Sequence, residues 1–586
     1  MKRNLIISAL FGALAIAATA AVLLQVAGPS AANSKPMAQV MPAGPLLYVE
    51  AKDFGSLLKD WNASPEKQTW LKSDNYQVFS RSKLFLRLKH DQGEFAAAAG
   101  FPPDMAMLDQ VAGSESAFAV YDIGRLEFLY ITRMPEAHAA ETVLWKKRGD
   151  YQPRKAGKAS YYVRVEPETK RTVAFAVSGD YLLLATREDL LAGALTLLSG
   201  KGTNALSNEG WFTKAVAAAA KLGDLRLVMN LDAIVATPQF NSYWIQENVG
   251  EIKGKYSAGV SDLFRAPSEY REERVLLLKE SQSHSETVSN PDLEAAVGQA
   301  LRLVPADAGF YESWAKPSTD ELMQAISTEI LVPHFGPRPV SKLAPNAAIS
   351  EGSVGSESDL EVRIDETRPV APVSKEENPL KTMLVAADVS ALLKLKDAQP
   401  TSDGVFVQTR SAVAVIAKNA WNTDHVKEAL QRLTENMTSA RLGTTWTARK
   451  QGSVTYFELD GLSSLSIFAD KNLLLISNSP AMLQSLLAGI AKPADKGALY
   501  VSRFEHKRER GNFIKMMRSI EGAGPTNASG VDRNPEHGND STRQPKFFSD
   551  NIGGLSRTLA RVESESIEVH DMGDREVQTV RYHWAE

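Results

Sequence analysis

The chain has 586 residues, 44% hydrophobic and 23% charged, with 66 Lys and Arg against 70 Asp and Glu and no cysteine. That length exceeds one hydrophobic core and predicts about two to four globular domains. The formal net charge of −4 gives no field to steer a polyanion, which argues against nucleic acid as a partner, and the lack of thiols excludes disulfides, iron–sulfur clusters, thiolate zinc sites and a cysteine lipid anchor.

Lys2 and Arg3 precede an uncharged stretch from Leu5 to Leu24. Its length matches the roughly 30 Å of a bilayer core at about 1.5 Å per helical residue. Two readings are open. A retained anchor would hold the chain in a bacterial inner membrane as a single pass, N-terminus inside and bulk in the periplasm. A signal peptide cut near Ala32, after the small pair Ala31-Ala32, would release it to the periplasm. Secretory apolar regions run about 7–15 residues, so the length favours the anchor.

After a polar linker, Leu46-Leu47-Tyr48-Val49-Glu50 reads as a buried strand, with Asp53 as the cap of a helix from Phe54 to Trp61. Strands are expected over Ala117–Tyr121 and Glu127–Thr132, then a helix over Glu136–Lys147. Three strands follow, Tyr161–Val165, Thr172–Val177 and Tyr181–Thr186, and a helix Glu188–Leu198 stopped by Ser199-Gly200. Tyr256–Phe264 and Glu272–Leu278 close this part.

The same order recurs: paired strands Gly404–Thr409 and Ala412–Ala417, a helix Asp424–Leu433, strands Val454–Leu459, Leu465–Phe468 and Leu473–Ser477, and a helix Pro480–Ile490. Tyr162 matches Tyr456 at an offset of 294, and Leu182–Leu184 match Leu473–Leu475 at 291. The difference falls in a turn, where a duplication tolerates length change. Val304-Pro305 to Tyr311 echoes the opening strand. Pro333–Pro379 reads as long loops or disorder and Gly522–Gln544 as a linker; a helix Phe547–Arg561 and a hairpin turning at Met572-Gly573-Asp574 end the chain.

The expected fold is therefore α+β: two pseudo-equivalent repeats of antiparallel sheet with helices packed on one face, behind one N-terminal transmembrane or signal helix. The expected organisation is 1–40 signal or anchor plus linker, 41–290 first repeat, 291–521 second repeat with the insertion 333–379, 522–546 linker, and 547–586 completing the second repeat.

No constellation of reactive residues emerges. None of the nine histidines pair at helical metal-ligand spacing, and His570 and His583 stand roughly 25 Å apart along the last hairpin at strand rise. Ser64-Pro65-Glu66-Lys67 and two S-D-N triplets, Ser73–Asn75 and Ser549–Asn551, lack the K-T-G strand that a penicillin-recognising enzyme needs. Ser199-Gly200-Lys201-Gly202-Thr203 follows a helix, whereas a phosphate loop must precede one. Asp532–Asp540 is too dilute in acid for calcium. Lys507-Arg508-Glu509-Arg510 reads as a solvated helix face, and tryptophans such as Trp211, Trp314 and Trp421 as core or interface anchors. No catalytic, cofactor-binding or metal-ligating residue is assigned.

The run Pro42-Ala43-Gly44-Pro45-Leu46-Leu47-Tyr48-Val49-Glu50 and the closing Thr579-Val580-Arg581-Tyr582-His583-Trp584 resemble an uncharacterised family of bacterial envelope proteins with a membrane segment ahead of a PA-x-x-LLYVE strand. The resemblance implies an envelope location and carries no catalytic residues. The expected function is a non-enzymatic binding or scaffolding role towards an envelope protein or membrane partner. The alternatives are a carboxylate-based hydrolase of an envelope substrate and a protein binding lipid or another apolar ligand.

Overall fold

The computed structural model describes residues 35–64, 67, 71, 76, 80–81, 83–219, 221–238, 252–282, 291–331, 378–400, 407–435, 445–459, 464–494, 497–509 and 562–584. Leu5–Leu24, the insertion up to 377, the linker Gly522–Gln544 and the expected helix Phe547–Arg561 lie outside the described residues. Among the described residues no helix is long and apolar enough to cross a membrane. The chain divides into two compact units, one of Met1–Val288, Arg557–Leu559 and Asp571–Glu586, the other of Ser289–Ser556 and Ala560–His570.

The first unit holds β1 (Leu47–Ala51), β2 (Ser116–Asp122), β3 (Glu127–Arg133), β4 (Gln152–Ala156), β5 (Ala159–Val165), β6 (Thr172–Ser178), β7 (Tyr181–Ala185), β8 (Leu225–Asn230), β9 (Tyr256–Arg265), β10 (Glu269–Leu278) and the last strand, β20 (Arg575–Trp584). They pair antiparallel in the order β4-β5-β6-β7-β3-β2-β1-β8-β9-β10-β20. Antiparallel strands alternate their side chains between faces. On one face Ala117, Ala119, Ala174, Ala176 and Ala185 form a small-residue floor, and the helix Glu188–Leu198 seats Leu191, Ala194 and Leu195 against it. On the other, the larger Tyr130, Phe175, Leu182 and Leu184 meet Phe101, Met107, Val111 and Leu144 from helices and loops.

Helices thus cover both faces, which corrects the expectation of one. The reason lies in the strands themselves: Val173-Ala174-Phe175-Ala176 and Leu182-Leu183-Leu184 are apolar at consecutive positions and buried throughout, the pattern of a sheet with two dry faces. Asp53 caps the helix Phe54–Ala63 by accepting from Ser56 N at 2.8 Å, as its position predicts. The helix expected over Glu136–Lys147 is instead two short ones, Glu136–Ala139 and Val143–Lys146, because Thr142 caps the second with its hydroxyl.

The second unit holds β11 (Phe310–Ala315), β12 (Val389–Pro400), β13 (Val407–Ala417), β14 (Trp446–Gln451), β15 (Val454–Leu459), β16 (Leu465–Asp470), β17 (Leu473–Ser477), β18 (Tyr500–Glu505) and β19 (Val562–Asp571). Their antiparallel order is β14-β15-β16-β17-β13-β12-β11-β18-β19. Helices Pro291–Leu301 and Pro480–Ala488 cover one face and Pro379–Ala387 and Thr423–Glu435 the other. The hairpin expected between Gly404–Thr409 and Ala412–Ala417 is corrected: Val407–Ala417 is one strand, and its partner is β12. The polar Arg410-Ser411, left between the two expected strands, lies mid-strand, where Arg410 stands opposite Asp397 and Ser411 is buried. The terminal turn at Met572–Asp574 falls where its sequence places it, with Gly573 at φ 85°. β19 pairs with β18, and β20 pairs with β10 of the first unit, whereas the sequence suggested that both complete the second.

Candidate functional site

Glu50 of β1 stands opposite Arg226 of β8, and Arg226 opposite Asp262 of β9, so three alternating charges line one row of the first sheet. Arg226 donates through Nε to Asp262 Oδ1 at 2.8 Å and through Nη2 to Oδ2 at 2.7 Å, with both side chains buried. Gly223 N adds a third donor to Oδ1 at 2.8 Å. Tyr48 Oη donates to Glu50 Oε2 at 3.0 Å. Burial pushes the Glu50 carboxyl above its ordinary range, against the opposing pull of the Tyr48 hydrogen bond, and burial beside Glu50 pushes the Tyr48 hydroxyl up as well. Farther along, Arg274 grips Glu272 through Nε at 2.7 Å and Nη2 at 2.6 Å, and Glu576 accepts from Tyr256 Oη at 2.7 Å and pairs with Lys255. The fork-to-carboxylate pairs at Asp262 and Glu272 are of the short, charge-assisted kind that fixes both partners in place.

The second unit repeats the theme. Glu312, buried in β11, accepts from Lys394 Nζ at 2.9 Å and Tyr500 Oη at 3.3 Å. Asp397 takes Arg410 through Nε at 2.8 Å and Arg508 Nη2 at 3.1 Å, and Arg508 Nε reaches Glu509 at 3.2 Å. Glu509 also accepts from Ala398 N at 3.1 Å, and burial raises its pKa. Asp307, Asp397 and Arg410 line a cavity of about 30 Å³. That is room for roughly one water molecule and no organic substrate.

A larger cavity, about 290 Å³, opens on the same unit. Leu293, Pro317, Leu322 and Leu384 are buried in its floor, while Lys316, Asp388 and Lys418 stand exposed at its rim. Lys418 Nζ bonds Asp388 Oδ2 at 2.7 Å. Lys316 and Asp388 both hold left-handed backbone, at φ 45° and 49°, a conformation that costs any residue with a Cβ and gathers at binding sites. Backbone bonds fix it: Lys316 N donates to Ser390 O at 2.9 Å and Lys418 N to Asp388 O at 3.0 Å.

Sequence motifs land in structural roles. The Ser64 hydroxyl donates to Trp61 O and accepts from Lys67 N, while Ser73–Asn75 and Ser549–Asn551 lie outside the described residues. Ser199 and Gly200 end a helix whose carbonyls at Leu197 and Leu198 accept from Lys35 Nζ, the opposite end from the one whose amides bind phosphate. The run at Lys507 is corrected from a solvated face to a partly buried network, because Arg508 turns inward to Asp397. Trp421 is buried in the core. His570 faces Glu294 at 3.4 Å and His583 faces Glu269 at 3.5 Å, and among the described residues no three His, Asp or Glu side chains gather as metal ligands. The rim residues of the larger cavity escaped the sequence reading. Lysines in loops carry no pattern, and left-handed backbone at a non-glycine has no signature.

No protein-family model and no curated protein matches the chain. Among solved structures the chain is similar to three crystal forms of a protein titled TP0453. Form I is 14% identical at a TM-score of 0.24, over 42% of this chain and 80% of that one. Form III is 11% identical at 0.23, over 43% and 82%, and form IV 12% identical at 0.22, over 42% and 83%. A likeness at that level carries no argument about fold or function.

Proposed function

We propose that the chain is an extracytoplasmic envelope protein with a binding or scaffolding role, tethered by Leu5–Leu24 or released by cleavage near Ala32, and that it catalyses no reaction. The observation that carries the non-catalytic part is the fate of the buried carboxylates. Asp262, Glu312, Asp397 and Glu576 are each held by a guanidinium or ammonium. The cavity that does present two carboxylates, Asp307 and Asp397, is the size of a water.

The reading includes two repeats of one module. Its support is the strand order, since β4-β5-β6-β7-β3-β2-β1-β8-β9 becomes the order of the second unit when each number rises by ten. Arg154, Gly157 (φ 62°) and Tyr161 of one edge hairpin correspond to Arg449, Gly452 (φ 58°) and Tyr456 of the other, with Arg154 opposite Tyr161 and Arg449 opposite Tyr456. Tyr161, not Tyr162, is thus the partner of Tyr456. Left-handed Gly179 and Lys471 likewise align Leu183 with Leu475. A one-residue slip matters, because it would turn each side chain to the wrong face.

The test is to cross-link the full chain in intact cells and to sequence its mature N-terminus by mass spectrometry. A defined envelope complex, lost when exposed polar clusters are changed to alanine, supports the reading. Recovery of the chain alone, together with hydrolysis of an envelope substrate abolished by Asp307→Asn, overturns it.

A further inference from the structure

One helix of the first unit, Lys83–Ala99, joins exposed leucines to unpaired cations. Residues 81–90 hold Arg81, Lys83, Arg87 and Lys89 and no Asp or Glu, in a chain whose net charge is −4. Leu84, Phe85, Leu86 and Leu88 stand between them. The helix is anchored by one side: Asp91, Ala98 and Ala99 are buried, and Arg87 Nη2 donates to Gly124 O at 3.1 Å. At about 3.6 residues per turn the opposite side carries Phe85, Leu86, Lys89, Gly93, Ala96 and Ala97, with no carboxylate among them. Leu86 is 56% exposed, and Leu88, one turn on from Phe85, is 37% exposed. The acids on the anchored side are already engaged. Asp91 lies 3.2 Å from Arg87 Nε and accepts from Arg171 Nη2 at 3.2 Å, and Glu94 accepts from Arg171 Nε at 2.7 Å. The exposed Arg81 and Lys89 pair with no carboxylate among the described residues.

The order of these residues selects the partner. A groove in a protein takes a narrow apolar stripe at i, i+3, i+4 and i+7. Here Phe85, Leu86 and Leu88 wrap around the helix with Lys89 among them, and a polyanion alone offers nothing to the leucines. A bilayer interface meets both needs at one depth, acyl chains for the apolar side chains and lipid phosphates for the cations. We propose, on this charge complementarity, that the N-terminal half of the helix Lys83–Ala99 docks on an anionic lipid bilayer. Leu86 and Leu88 enter the boundary between headgroups and acyl chains, and Arg81 and Lys89 meet the phosphates. The inference rests on the binding reading above and names a lipid surface as a partner.

Because the chain has no cysteine, Leu86→Cys in the full chain takes a single bimane label on the exposed face. In nanodiscs of phosphatidylcholine with phosphatidylglycerol, lipids spin-labelled near the top of the acyl chain should quench this label. In phosphatidylcholine alone the quenching should be weak. Val385→Cys, at a side chain 61% exposed in the second unit, carries the same label as reference and should stay unquenched. Arg81→Gln combined with Lys89→Gln removes two exposed charges, each worth about fivefold at an anionic surface, so the ratio of docked to free helix should fall about thirtyfold and the quenching with it. Equal quenching in the two lipids, equal quenching at position 385, or quenching that survives the double substitution overturns the inference. Absence of quenching in either lipid overturns it as well and leaves the face to a protein partner. A complex recovered by cross-linking stands in each of these cases, so the two proposals fall separately.

Discussion

Asp262 carries three hydrogen bonds inside the first sheet, two from Arg226 and one from Gly223 N. Removing it strands a guanidinium with almost no solvent access, so Asp262→Ala should lower the stability of the first unit by about 3–5 kcal/mol. Denaturation midpoints of the full chain measure this; a loss below about 1 kcal/mol would mean that water reaches Arg226. Glu50 sends the opposite signal. Burial raises its pKa, so the folded state keeps the proton where the unfolded chain has released it. That contribution is complete at pH below the ordinary carboxyl range and is lost as pH rises through the folded value. Glu50→Gln keeps an acceptor for Tyr48 and should gain on the wild type as pH rises from about 4 to about 7. A variant-to-wild-type gap that stays constant over that range contradicts it. Neither role was legible in sequence. Glu50 ends an apolar run and Arg226 starts one, and only the cross-strand register makes them neighbours.

At the scale of elements, the helix Pro291–Leu301 packs so closely on the segment before β18 that a Cβ on Gly497 would overlap Glu294 O and approach Gly298 N at 2.8 Å. Gly497→Ala should therefore cost about 1–3 kcal/mol by forcing the helix outward. Gly93 is the control, as it sits within the helix Lys83–Ala99 with nothing near its missing Cβ. Gly93→Ala should stabilise by about 0.5–1 kcal/mol through lost unfolded-state entropy. Thermal melts of both variants report the two signs, and matching signs would refute the packing argument. Elements with strong apolar periodicity or sharp stops, such as Glu188–Leu198 and β6, were legible in the chain. β4 and β14 were not: Gln152-Pro153-Arg154-Lys155 and Ala448-Arg449-Lys450 are exposed edge strands with no buried face to pattern them. β12 hid behind Lys394, Lys396 and Asp397, of which Lys394 and Asp397 bond to charges on neighbouring strands.

At the scale of the whole molecule, the last strand pairs with β10, more than 290 residues back in the chain, from Glu269 opposite His583 to Leu277 opposite Arg575. Ending the chain at Asp571 should expose β10 and release Tyr256 and Lys255 from Glu576. Hydrogen exchange is then expected to quicken across Tyr270–Leu277 while β12 and β13 keep their protection, and unchanged exchange in β10 would refute the pairing. The sequence by itself determined the apolar N-terminal stretch, the absence of thiol chemistry, the α+β composition and the order of most strands and helices. Those follow from local properties: hydrophobic period, caps and turn residues. Only the tertiary structure decided that helices cover both faces, that the terminal hairpin splits its strands between different partners, and that Lys316, Asp388 and Lys418 ring one cavity. Each of these is a contact between distant segments, set by packing and register rather than by neighbours along the chain.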